Sequence, residues 1–294
     1  MGKVAVITDS IACLTPEQVC RYRITVLPVS FYHGGRIYRD GVDVTPSQAY
    51  ELFLQDPDSF KTSAVSPGEF VRAFQHLAES FEAAVCITIS SRLSAVYQSA
   101  REAADFIREE LPSFRVEVVD SGTCAAAEGM VAMAAARAAG AGAGPAEVRR
   151  VAEVEREQVG MVAYLDTVEH VYRSGRIPRI ASRAGAALNV RPLLAVEGGE
   201  LKLIGIVRSR ATGIKRVLAE LRRRTRGEVA GLAVMHAYAP DDAAALRDQV
   251  VAQFPGVEVW VTEFSPLMGY VCGTGTLGVT YRLARQRGRT APGP

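Results

Sequence analysis

The chain has no apolar run approaching the ~18 residues needed to cross a bilayer, and its first residues, Met1-Gly2-Lys3, lead straight into a short strand-like run that turns polar at Thr8-Asp9. A membrane span and a signal peptide are therefore not expected, and the protein is expected to be cytoplasmic, with no stable membrane insertion. Its five cysteines (Cys13, Cys20, Cys86, Cys124, Cys272) are odd in number and show no CxxC spacing, which argues against a disulfide framework or a zinc site. Charge of one sign is lacking too. With 34 basic and 32 acidic residues the formal balance is +2, which gives no broad field for nucleic acid. No GxSxG elbow is present, and no His, Lys or Cys pair stands in sequence beside the hydroxyl clusters described next, so activated-serine chemistry has no visible base.

What is there is a set of three apolar runs, each ending in hydroxyls: VAVITDS (Val4 to Ser10), AVCITISS (Ala84 to Ser91) and VEVVDS (Val116 to Ser121). β-Branched runs separated by helical stretches read as buried parallel strands, and open α/β sheets bind ligands beyond the carboxyl ends of such strands. A hydroxyl, then Pro, then Gln or Glu marks three capped helix starts, at Thr15-Pro16, Thr45-Pro46 and Ser66-Pro67. Ile24 to Phe31 reads as one strand with a hairpin partner at Gly35 to Tyr38. A helix follows Ser94, and the Ala-rich stretch Ala125 to Ala139 reads as a helix whose small side chains permit close packing. From Gly160 the pattern changes to several strands with a hairpin turn at Gly198-Gly199. The expected organisation is α/β with two domains, 1–158 and 159–285, a cleft between them and a loose tail over 286–294.

Several motifs admit two readings. Gly273-Thr274-Gly275-Thr276-Leu277-Gly278 matches GxGxxG, but too little chain follows for a dinucleotide site. It reads instead as a tight turn into a last helix, Val279 to Arg285, or as a glycine loop whose amides and helix terminus face an anion. Ser91 or Ser94 is either a helix cap or a ligand contact. Lys61-Thr62-Ser63 has no capping duty, which favours a ligand role for Thr62 or Ser63. Asp9-Ser10 and Asp120-Ser121 are explained as well by turn hydrogen bonds as by function. Among the histidines, His236, at a strand end, is the one to watch. The arginines of Lys215 to Arg226 read as a solvated helix face.

Taken together, ITDSIACL (Ile7 to Leu14), YRDGVDVT (Tyr38 to Thr45), KTSAVSPGEF (Lys61 to Phe70), ISSRLSAVYQSA (Ile89 to Ala100), VVDS (Val118 to Ser121), SGRI (Ser174 to Ile177) and GTGTLG resemble the DegV family of bacterial fatty-acid-binding proteins. The resemblance implies a two-domain fold, with an N-terminal three-layer domain on a parallel sheet and a C-terminal two-layer α/β domain on a mixed sheet. It implies one long-chain fatty acid held between the domains in a buried tunnel, no cofactor or metal, and no catalysis by the carrier itself, which presents the acid to a separate fatty-acid kinase. Carried over by position, the carboxylate-binding hydroxyls fall on Thr62 and Ser94, with Ser63, Ser91, Gly273, Gly275 and Thr276 as secondary candidates. Arg176 and Arg208 fall on positions linked to partner docking. The chain departs from the family pattern at Ala95 and Val96, at Ser174, and at Val271, where the family carries histidine. The rival expectation is a serine-dependent acyl-ester hydrolase using Ser94 or Ser91. A third is a kinase-docking subunit in which the lipid is only filler.

Overall fold

A computed structural model of the chain describes residues 3–167 and 190–284. The chain enters as β1 (Val4–Asp9), passes a short turn at Ser10–Ala12 into α1 (Pro16–Tyr22), and returns as β2 (Ile24–Leu27). A hairpin of β3 (Ser30–His33) and β4 (Arg36–Arg39) leads to α2 (Pro46–Gln55), β5 (Lys61–Ser63) and α3 (Pro67–Ala78). Then come β6 (Ala83–Thr88), α4 (Val96–Glu110), β7 (Arg115–Asp120), α5 (Ala126–Gly140) and α6 (Pro145–Arg156). The three expected helix starts are all closed capping boxes, in which Thr15, Thr45 and Ser66 exchange hydrogen bonds with Gln18, Gln48 and Glu69.

Strands β2-β1-β6-β7 form one parallel sheet, and the direction of strand order reverses between β1 and β6. Helices α3 and α4 pack on one face of it and α1, α5 and α6 on the other, which makes the N-terminal domain three-layered. β1 and β6 are buried along their whole length because both faces are covered. The expected strand from Ile24 to Phe31 is two strands in two sheets. Pro28 has no N–H to give a ladder and breaks the run, so that β3 starts a separate antiparallel sheet of order β4-β3-β5. This small sheet rests on stacked Phe31 and Phe60.

The C-terminal domain is a six-stranded mixed sheet built from β8 (Val159–Tyr164), β9 (Arg191–Glu197), β10 (Glu200–Val207), β11 (Val229–His236), β12 (Val259–Glu263) and β13 (Leu277–Leu283). Its order is β10-β9-β8-β13-β11-β12, with only β11 and β12 parallel. Helices α7 (Arg210–Thr225) and α8 (Pro240–Gln253) cover one face, and the short α9 (Pro266–Cys272) precedes β13. Side chains sort by strand alternation. Val162 and Tyr164 of β8 join the core under α7 and α8, while Met161 and Ala163 join the core shared with the N-terminal domain. Helix α5 carries that second contact, touching β1 and β6 on one side and β8 and β13 on the other. An apolar helix without a polar face is buried all round, and its alanines let two sheets approach it closely.

The stretch expected as a last helix, Val279 to Arg285, is β13, the strand between β8 and β11 over its described residues. Leu277, Val279 and Tyr281 alternate onto one face, and a run this short reads equally as helix or strand until its neighbours pair with it.

Candidate functional site

A cavity of about 40 Å³ lies at the carboxyl ends of β1 and β6, where the strand order reverses. Ile11, Ile89, Leu93, Ser94 and Cys124 reach it from the turns after the parallel strands, and Thr62 reaches it from β5. The C-terminal domain closes it with Leu201 of β10 and with Leu267, Met268 and Val271 of α9. Thr62 and Ser94, 32 positions apart in sequence, thus line one small apolar space. Its volume exceeds the ~10–15 Å³ of such space that one water needs, so it has room for a small polar head group. Among the described residues the lining carries no histidine, carboxylate or basic side chain.

Hydrogen bonding separates the candidate hydroxyls. The Thr62 hydroxyl makes no hydrogen bond with a described residue, and Ser94 Oγ only accepts a long one, 3.4 Å, from Val96 N–H, so its own proton is unspent. Ser91 is exposed and donates to Asp120 at 2.5 Å. Ser63, one residue from Thr62 and so on the opposite face of β5, is exposed and donates to the Ala64 carbonyl at 3.2 Å. Ser94 is not the helix cap, since α4 starts from Ala95 without a side-chain cap. The glycine loop is also spent. Gly273 N–H donates to Gly269 O, Gly275 N–H to Ala237 O and the Thr276 hydroxyl to Cys272 O, at 2.7, 2.8 and 3.0 Å. With β13 following, there is no helix terminus there to favour an anion. Arg208, exposed just beyond β10, places its guanidinium against no described partner. Arg176 lies outside the described residues.

The strand-end acids staple turns. Asp9 accepts from Ile11 N–H and Ile89 N–H at 3.0 and 3.2 Å, tying the end of β1 to the end of β6. Asp120 ties β7 to the Ser91 loop in the same way. Burial raises Asp9 to about 6 against those two amide bonds. Burial and the neighbouring Asp9 charge hold Glu128 of α5 well above the carboxylate range. Its Oε1 accepts from Thr8 at 3.1 Å, and its Oε2 has no partner unless protonated, when it can donate to Asp9. Glu128 was missed from sequence, although a lone carboxylate in an alanine-rich run was the signal. Asp40 is also raised by burial to about 6, against donors Ser265 and Ser10. His236 is held neutral by burial, and its Nδ1 accepts from Ala239 N–H at 3.3 Å. That nitrogen cannot also donate to Glu263, 3.9 Å away, so the pair is no salt bridge.

These shifts fix a pH dependence. Asp9 and Asp40 have folded pKa values near 6, above the ordinary 3.8, so each favours folding fully below pH 4 and that contribution is lost as pH rises through 6. A carboxyl moved that far is worth roughly 3 kcal/mol. His236, with a lowered pKa, acts in the opposite sense. Urea unfolding of Asp40→Asn beside the parent isolates the Asp40 share. The variant gains stability relative to the parent between pH 4.5 and 7.5, and a constant difference across that window would show that Asp40 does not titrate there.

The model of an uncharacterised protein family, DegV, matches residues 3–283. The chain is 33% identical over 277 residues to a DegV domain-containing protein of Streptomyces coelicolor, covering 94% of this chain and 97% of that one. A DegV domain-containing protein of Caldanaerobacter subterraneus is 34% identical over 218 residues, 74% of this chain and 76% of the other. Among solved structures, DegV of Bacillus subtilis, described as a fatty acid binding protein, superposes with a TM-score of 0.87 at 25% identity, over 97% of this chain and all of that one (100%). A Thermus thermophilus DegV family protein, whose structure is described by its fatty acid binding, gives a TM-score of 0.85 at 27% identity, over 96% of this chain and 100% of its own. The three-layer parallel-sheet domain and the two-layer mixed-sheet domain implied by the resemblance are thus the architecture of this chain.

Proposed function

Because the chain belongs to the DegV family, we propose that it is a carrier that binds one long-chain fatty acid between its domains, with the carboxylate at Thr62 and Ser94. The observation that carries the reading is the pair of unspent hydroxyls facing one apolar cavity at the sheet's switch point. That is where open α/β sheets hold ligands. The fatty acid binding described for the Bacillus subtilis and Thermus thermophilus proteins supports the same ligand.

The energetics agree. An acyl chain of about sixteen carbons buries roughly fourteen methylenes at ~0.8 kcal/mol each, on the order of 11 kcal/mol before the costs of association. The carboxylate must be met on desolvation, and neutral hydroxyls can hold it without reacting with it. Val271 stands in the cavity lining where a histidine would supply a base. The acid is therefore held unchanged and passed on, in our reading to a separate fatty-acid kinase, with the exposed Arg208 and, by its position in the family pattern, Arg176 as docking contacts.

The test is to denature the purified protein and identify the released lipid by mass spectrometry, and to follow melting with added fatty acids. One acyl chain per protein and a rise in Tm are expected, since a ligand at a hundred times its Kd adds about 2.7 kcal/mol. No acyl chain and no gain in Tm would overturn the assignment. Covalent labelling of Ser94 by a fluorophosphonate would replace the carrier with a hydrolase.

A further inference from the structure

Two pieces of the C-terminal domain cover the cavity at Thr62 and Ser94, and they are held differently. Helix α9 is locked from behind, because Tyr50 of α2 fills the space over Gly269 and donates to the Phe264 carbonyl at 3.0 Å. The other cover is Leu201, on the second strand of the β9–β10 hairpin. That hairpin forms the outer edge of its sheet.

Strand β9 pairs with β8 only through Leu193, Leu194 and Ala195, and β10 pairs with β9 alone. The tip from Val196 to Leu201 therefore has no further strand beside it. A register shift between Leu203 and Gly205 turns β10 over. Leu201 and Leu203 face the core shared with the N-terminal domain, while Val207 faces the core under α7. Gly198 and Gly199, with φ of +60° and +83°, close the tight turn between the strands.

Two contacts fasten this tip, both to the turn that carries Ser94. The Ser90 hydroxyl donates to the Gly199 carbonyl at 2.7 Å, and Arg92 Nη1 pairs with Glu200 Oε1 at 2.9 Å. A Cβ at position 199 would lie 2.7 Å from Ser90 Oγ, so glycine is what lets the tip come down on that hydroxyl. Lys202 shares Glu200, and Arg224 of α7 holds Glu197 at 2.6 Å, but neither contact crosses to the N-terminal domain. One buried neutral hydrogen bond is modest in net terms, and an exposed ion pair adds little. Both can break without unfolding either domain, whereas moving α9 disturbs the buried Tyr50.

We propose that the β9–β10 hairpin is a strap over the head-group cavity, latched by Ser90 and Arg92, and that ligand enters and leaves when the latch opens. The identity of what passes rests on the fatty-acid reading, but the motion does not. Cys124 reports the motion without lipid, since it lines the same cavity and is fully buried.

In the lipid-free protein, Ser90→Ala with Arg92→Ala should speed alkylation of Cys124 by iodoacetamide at least fivefold, read by mass spectrometry of the labelled peptides. Cys86, buried within β6 and away from the cavity lining, should label as in the parent. Salt screens the exposed pair, so 1 M NaCl should speed Cys124 labelling in the parent more than in Arg92→Ala. Stopped-flow mixing with palmitate should then show uptake and release both at least fivefold faster in the double variant, with Kd within about threefold, because the latch is made whether the cavity is filled or empty. If Cys86 labelling rises with Cys124 in the double variant, Arg92→Ala alone decides, with about a twofold gain expected at Cys124. A parent that takes up no palmitate would end the fatty-acid reading and leave the labelling test in force. Cys124 labelling unchanged by loss of the latch, or faster release with unchanged uptake, would overturn the strap.

Discussion

Gly269→Ala is expected to destabilise the protein by about 3 kcal/mol or more, the upper range for overpacking a filled core. Gly269 sits in α9 where that helix crosses α2, and a Cβ there would fall inside the ring of Tyr50. The ring has nowhere to go. Tyr50 is 1% exposed, stacks on Tyr238 with centroids 6.0 Å apart, and donates its hydroxyl to the Phe264 carbonyl at 3.0 Å. Turning it aside breaks a hydrogen bond that ties α2 of the N-terminal domain to the loop before α9. Shifting α9 instead moves Leu267, Met268 and Val271, which close the cavity at Thr62 and Ser94. Either response damages both stability and the site. Urea unfolding should show the lower midpoint, and fatty-acid titration under native conditions should show weaker binding. Gly68→Ala is the control, since its new Cβ would meet only the flexible end of Arg72 at 3.7 Å, and helix propensity should make it neutral or slightly stabilising. A Gly269→Ala variant that unfolds with the parent would show that α9 is free to move away from α2.

Much of this architecture was legible because local signals and tertiary packing agree. The runs ending at Ser10, Ser91 and Ser121 hold the parallel strands β1, β6 and β7, and the three hydroxyl-Pro pairs start helices. Legibility failed where partners, not local pattern, decide. Leu277 to Leu283 becomes a strand because β8 and β11 pair with it, and no local periodicity over seven residues could choose that. Ser63 and Ser91 resemble Thr62 and Ser94 as residue types, and only the fold shows that Ala64 and Asp120 have already taken their protons. The amide-rich look of Gly273 to Gly278 misled for the same reason, since Gly269 and Ala237 accept from those amides. The surroundings of Asp40 and Glu263 were illegible throughout, since their hydroxyl partners come from segments more than 200 residues away, with Ser265 reaching Asp40 and Ser47 reaching Glu263.

The double substitution Thr62→Ala, Ser94→Ala is expected to weaken fatty-acid binding by about 10²-fold or more while barely changing the stability of the lipid-free protein. A hydrogen bond to a charged group contributes roughly 1.5–3 kcal/mol, so two of them are worth on the order of 3–6 kcal/mol, and each 1.4 kcal/mol is tenfold. Neighbouring hydroxyls on one carboxylate are not additive, which places the expectation at the lower end. The free protein loses little, because Thr62 bonds no described group through its hydroxyl and Ser94 gives up only the 3.4 Å contact with Val96 N–H. Unfolding should therefore shift by no more than about 1 kcal/mol. A fatty alcohol of the same chain length separates head from tail. The parent should favour the acid over the alcohol, and the double variant should lose that preference while keeping the tail's share of affinity. Ser63→Ala with Ser91→Ala removes two hydroxyls already spent on Ala64 and Asp120, and should leave the acid's affinity unchanged. If the Thr62 and Ser94 variant binds the acid as tightly as the parent, the carboxylate lies elsewhere, and the hydroxyl pair is only polar lining.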